Sequence, residues 1–185
     1  MTITNFKTRQ EFRKWLTKNH NIAKECWIPL KSGKPIDPKT FYYIDAIEEA
    51  LCVGWSDSIH KLYRNKLVVR FSPRRKNSVW TELNKERVRR LDKLGLMTKY
   101  GKSKLPKNMS YHMDKDVEIA LKKARVYSIF KSFPSLYQRI RGYNVAFYKS
   151  KDKETYIKAL EHIIKETKRK KMFGEWNDYG RLLDY

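Results

Sequence analysis

Between Tyr43 and Leu94 four pieces of pattern follow one another with little between them, and their order leaves few ways to fold. Tyr43, Ala46, Ile47, Ala50, Leu51 and Val53 span about half of a helical wheel, while Asp45, Glu48, Glu49 and Cys52 take the other side. Gly54 then closes the helix as a left-handed cap. Trp55 to Leu62 and Leu67 to Ser72 are strand-like runs joined through Tyr63-Arg64-Asn65-Lys66, and together they predict an antiparallel hairpin that Pro73 stops. A second helix is predicted from about Ser78 to Leu94, ended by Gly95. At 100° per residue Trp80, Leu83, Asn84, Arg87, Leu91 and Leu94 share one face, so Asn84 and Arg87 sit inside an apolar stripe.

The flanks extend this plan. Thr8-Arg9-Gln10-Glu11 fits a capping box at the start of a helix that runs to about Asn19, with Phe12, Trp15 and Leu16 on one face. Cys26 to Leu30 is a short apolar run whose Pro29 lacks an amide hydrogen, which predicts an edge strand. Gly33 to Pro38 is a loop, and the basic segment from Thr98 to Ser110, punctuated by glycine and proline, is another irregular stretch. Beyond it the chain reads as helical, with one stripe of Val117, Ala120, Leu121 and Ala124, one of Leu136, Ile140, Tyr143 and Phe147, and one of Tyr156, Leu160, Ile163 and Thr167. The tail after Gly174 carries Trp176, Tyr179, Leu182 and Leu183, too apolar for a linker, and is expected to dock on the body. The fold class is therefore α+β: a short antiparallel sheet covered by helices in residues 1–113, then a helical C-terminal subdomain, 114–185, packed on the core.

A chain of 185 residues can bury such a core without covalent staples. Cys26 and Cys52 are too few for a disulfide framework, which suits a reducing compartment. No apolar run reaches about 18 residues and no hydrophobic leader is present, so the expectation is a soluble cytoplasmic protein without a membrane span. The net charge of +22 is concentrated, with +18 of it in residues 61–150. Such a field attracts polyanions and does so with strong salt dependence. The plainer reading is a solvated lysine-rich surface that binds them only loosely.

Asp57 lies in strand register with Trp55 and Ile59, and on a core-facing side its carboxylate needs partners. Arg70, Arg74, Arg87 and Asn84 are the available donors, and an arginine fork can grip a carboxylate with two bonds. One reading is a polar network that fixes helix to sheet. The other is a pocket in which Arg74, Ser78, Asn84 and the rings of Trp55 and Trp80 bind a small anionic or polar ligand. Cys52 shares its side of the helix with three carboxylates, which disfavour a thiolate and argue against a nucleophile. His20, His60, His112 and His162 are scattered, with no metal-ligand spacing, and no phosphate loop or nucleophile elbow is present. No catalytic residue, metal or cofactor is assigned. Basic and aromatic residues interleave at Tyr63-Arg64, Arg70-Phe71, Lys99-Tyr100 and Arg139 to Tyr143, a pattern suited to phosphate contacts and base stacking, although Phe71 and Tyr143 fall on predicted core faces.

The stretch Ala50 to Ser58 (ALCVGWSDS), then Arg70-Phe71-Ser72-Pro73-Arg74, then Ser78, Trp80, Asn84 and Arg87, resembles the core of the YdeI/OmpD-associated, or bacteriocin-protection, proteins. Elements of the resemblance run from about Phe12 to about Lys171, including Phe130 to Tyr137 and Lys151 to Thr155; Ser56 departs from it, where an apolar residue is usual between Trp and Asp. It implies a bacterial cytoplasmic setting and a link to protection against bacteriocins or cationic antimicrobial peptides, without supplying a reaction. Three functions follow as expectations: a non-enzymatic binding protein acting on an anionic partner or ligand, a nonspecific nucleic-acid-binding module, or an enzyme for a small anionic substrate at the Asp57, Asn84 and arginine cluster.

Overall fold

Thr8 starts the first helix, α1 (Arg9–Asn19), by accepting the Glu11 amide on its hydroxyl at 3.2 Å. The Glu11 carboxylate takes the Lys7 amide at 2.7 Å, so the reciprocal bond reaches one residue further back than a standard capping box. Phe12 and Leu16 are fully buried. These features belong to a computed structural model that describes residues 2–185, an α+β protein with a three-stranded antiparallel sheet.

The sheet runs β1 (Cys26–Pro29), β3 (Lys66–Pro73), β2 (Trp55–Tyr63), which places the proline-ended strand at an edge as its missing amide predicts. Between β1 and β2 comes α2 (Tyr43–Cys52), and Gly54 at φ +68° ends it with its amide on the Leu51 carbonyl. The β2–β3 turn has Arg64 and Asn65 both at positive φ, 48° and 59°, which matches the right-handed twist of the flanking strands.

The pairing of β2 and β3 contains a bulge. Asp57 faces Phe71 and Ile59 faces Arg70, so Ser58 is the extra residue. Simple alternation would put Asp57 and His60 on opposite faces; the bulge puts both on the face of Phe71 and Val69, which are core residues.

The next helix, α3 (Glu82–Lys93), starts four residues later than the apolar pattern predicts. The Thr81 hydroxyl accepts the Asn84 amide at 3.1 Å, an N-cap bond, and Arg74 holds the Val79 carbonyl at 2.9 Å in the segment before it. Trp80 therefore precedes the helix, and Leu94 beyond its end is exposed. Gly95 at φ +69° lets the Leu96 amide reach back to the Leu91 carbonyl. A short helix, α4 (Lys99–Ser103), occupies part of the segment expected to be irregular. Thr98 makes it possible: its hydroxyl accepts the Gly101 amide and donates to the Cys52 carbonyl, both at 2.9 Å.

The chain divides into two compact units, with the boundary inside α3. The first contains the chain up to Val79, Glu86–Lys107 and Tyr185; the second contains Trp80–Lys85 and Asn108–Asp184. In the second, α5 (Lys115–Lys123), α6 (Tyr127–Ser132), α7 (Ser135–Ala146) and α8 (Lys153–Lys168) gather Val117, Leu121, Phe130, Tyr137, Ile140 and Ile163 into a core. Trp176 and Leu182 from the tail join that core, and Trp176 meets Tyr137 edge-on at 5.5 Å.

Candidate functional site

Helix α2 is buried on both sides of its wheel, although one side is acidic. Glu48 is 0 % exposed and Glu49 3 % exposed, a placement that costs heavily unless each charge is paired. Glu48 lies between Arg9 and Arg90, each at 2.8 Å. Arg9 and Arg13, one turn apart on α1, both hold Glu49 through their Nε atoms. Asp45 accepts the Tyr42 amide at 3.1 Å and stands 3.6 Å from Arg9. Burial pulls the Arg9 guanidinium down, but Glu49 and Glu48 together hold it above its ordinary value. Arg9, Arg13 and Arg90 also line an open groove with Gln10, Lys14 and Leu96. Their charge is directed at the carboxylates beneath, so the network fixes α1 and α3 on α2.

Around Asp57 the structure corrects the expected network. The carboxylate accepts the Tyr43 hydroxyl at 2.7 Å and sits 3.1 Å from His60 Nε2; no hydrogen bond to Arg70, Arg74 or Arg87 forms among the described residues. The physical reason is the bulge, which turns His60 onto the face where the first residue of α2 presents its phenol. Tyr43 and His60 also stack edge-on, with centroids 5.1 Å apart. The Asp57 and His60 side chains are 23 % and 41 % exposed, so the cluster opens to solvent. Chemically it is an imidazole oriented by a carboxylate, with a phenol beside it. Periodicity could not show it, because the bulge shifts the parity of the strand; a tyrosine opening α2 was the available signal.

The remaining predicted residues separate. Trp55 is fully buried and its indole N–H donates to the His20 carbonyl at 2.9 Å, which makes it a core residue. Arg70 donates to Glu25 at 2.6 Å and to Ser58 at 3.3 Å. Arg74 and Ser78 do come together, at 3.2 Å, and the Ser78 hydroxyl donates to the Arg75 carbonyl. Burial pulls the Arg74 guanidinium below its ordinary value, and Asp57 opposes that through space. Arg87 is buried on the part of α3 that belongs to the first unit, whereas Trp80 and Asn84 belong to the second.

Both cysteines are free and buried. The Cys52 thiol is pushed up to about 11, first by burial; Arg13 lowers it and Glu49 raises it, so the carboxylates are a lesser cause than their spacing suggested. Burial pushes Cys26 up to about 11 as well. An unfolded thiol ionises near its ordinary value of 9.0, so the folded state holds these protons more tightly. The stability this contributes is complete below about pH 9 and is lost as pH rises through about 11. Denaturation midpoints should fall across that window, and less so in Cys52→Ser. At neutral pH both thiols should react with an alkylating reagent far more slowly than a model thiol, and fast labelling of Cys52 in the folded protein would contradict its placement.

These geometries define a small α+β unit in which one helix is enclosed by arginine–carboxylate pairs and a bulged hairpin carries an open Tyr–Asp–His cluster. The model of a domain of unknown function, DUF8412, matches residues 4–104, more than half of the chain, and the chain belongs to that family. No curated protein and no solved structure matches it.

Proposed function

We propose that the protein is a non-enzymatic binding protein whose partner is anionic. The observation that carries this reading is the partition of charge between interior and surface. Asp45, Glu48, Glu49, Glu82, Glu86 and Asp178 are buried, against Arg74 and Arg87 among the cations of the described residues. Asp45, Glu48, Glu49, Glu82 and Glu86 are paired with Arg9, Arg13, Arg90, Lys85 and Arg89, so these pairs cancel and the net charge of +22 falls to residues outside them. A field of that sign repels a cationic peptide and attracts a polyanion. In the cytoplasmic setting implied by the resemblance to YdeI/OmpD-associated proteins, protection would then work through an anionic cellular partner and not by sequestering the peptide. Two buried free thiols fit that compartment, and no helix among the described residues is long and apolar enough to cross a membrane.

Binding to heparin and to random-sequence DNA at two ionic strengths tests the proposal. Affinity for both should fall at least about a hundredfold between about 50 and 200 mM salt, as expected when several phosphate or sulfate contacts release counterions. Failure to bind either at low salt removes the reading. Tight binding to a single DNA sequence that survives high salt would replace it with specific readout.

A further inference from the structure

The second unit contains a cavity of about 410 Å³ lined by Arg141, Tyr143, Phe147, Tyr148, His162 and Phe173. Its size is in the range of small-ligand sites. Its walls are unusual in composition. Tyr143 and Phe147 lie 6.0 Å apart, Phe147 and Tyr148 lie 5.4 Å apart and nearly perpendicular, and His162 meets Phe173 at 4.4 Å. Tyr143 and Phe147 complete the apolar stripe of α7, yet both are only half-buried and Tyr148 is exposed. Their ring surface faces the cavity instead of filling the core. Thr81 and Asn144 add hydrogen-bonding groups to the lining.

Positive charge accompanies the rings. The Arg141 guanidinium stacks on Phe173 at 4.6 Å and donates to the Phe173 carbonyl at 2.5 Å, while its Nε is buried with no partner. Gly174, at φ +67°, permits this approach, since a Cβ there would overlap the guanidinium. Among the described residues Arg141 makes no hydrogen bond to a carboxylate, and Glu175 acts on it only through space. Lys151 lies 3.4 Å from the Phe147 ring centroid. Two residues before Phe173 ends the run Lys168-Arg169-Lys170-Lys171, all four exposed.

Each component excludes a class of occupant. The cations disfavour a cationic ligand, and an aliphatic anion would leave five ring walls unused. A planar ring joined to an anionic group uses both. The exposed basic run ends two residues from Phe173 in the cavity wall, which suits a phosphate backbone longer than one unit. We infer that this cavity receives an unstacked base of a single-stranded nucleic acid, with Arg141, Lys151 and the 168–171 run serving the phosphates. The inference rests on the anionic-partner reading and narrows it to one kind of polyanion and one site.

Fluorescence anisotropy of a labelled twelve-residue oligo(dT), with heparin and a DNA duplex of equal length as competitors, tests it. Wild-type protein should prefer the single strand over the duplex. Tyr148→Ala and Phe147→Ala should each weaken oligo(dT) binding about tenfold, as loss of one stacking partner does, and change heparin binding less than about twofold. Tyr148 is exposed, so that variant keeps its fold even if Phe147→Ala does not. Equal loss for heparin and oligo(dT), or no loss for either variant, overturns the base pocket while leaving polyanion binding intact. Uridine monophosphate binding as tightly as the strand would also overturn it, in favour of a free nucleotide. Wild-type protein that binds neither polyanion defeats the underlying reading instead.

Discussion

Arg9→Ala should destabilise the protein by about 3 kcal/mol or more, the cost of leaving a buried carboxylate without one of its cations. Arg9 is the hub of the enclosed network: it holds Glu48 at 2.8 Å, grips Glu49 through Nε and lies 3.6 Å from Asp45. Its loss leaves Glu48, fully inaccessible to solvent, held by Arg90 at 2.8 Å, and leaves three carboxylates close together on a single helix. Arg9→Lys should cost less but still measurably, because an ammonium cannot match a fork that serves two acids at once. Urea titration followed by tryptophan fluorescence would read both. A loss below about 1 kcal/mol for the alanine variant would mean that water enters freely and the pairs act as a surface salt bridge.

Gly101→Ala should produce the second large effect, a loss of about 1–3 kcal/mol of the kind that overpacking causes. A Cβ at Gly101 would overlap the Cys52 carbonyl oxygen, and the obstacle is backbone, which cannot rotate aside. That same carbonyl accepts the Thr98 amide at 3.0 Å and the Thr98 hydroxyl at 2.9 Å, so pushing α4 away also weakens the cap that starts it. Gly95→Ala makes the informative comparison. No atom lies near its Cβ, but its φ of +69° carries conformational strain alone, and that substitution should cost only about 1 kcal/mol. If the two variants melt together, close packing at Gly101 is not what matters there.

Periodicity and punctuation carried most of the fold. The span of α1, the hairpin and its turn, and the glycine stops at Gly54 and Gly95 are each local decisions, written within about ten residues of where they act; the proline of β1 and the apolar tail at Trp176 announce an edge and a docked segment without naming their partners. The site was far less legible, for two physical reasons. The acidic side of α2 resembles a solvent face until Arg9, Arg13 and Arg90 are brought to it from 36 to 42 residues away, and pattern along one helix holds no record of such partners. Asp57 is legible as a carboxylate needing bonds, but its partners depend on one extra residue in a strand. Strength of pairing favours an arginine; the backbone supplies a tyrosine and a histidine because they are on the right face.

That extra residue also governs which changes of length the hairpin can absorb. Ser58 separates two stretches of opposite parity: Trp55 and Asp57 on one side, His60 and Leu62 on the other. Substituting Ser58 alters little, since its side chain is exposed and among the described residues bonds across to Arg70 alone. Deleting it would rejoin the stretches in simple alternation, so that either buried Trp55 turns outward or His60 leaves Asp57. Two residues added at the Arg64–Asn65 tip preserve both faces. The hairpin can therefore lengthen by pairs at its tip, while its base keeps a fixed count.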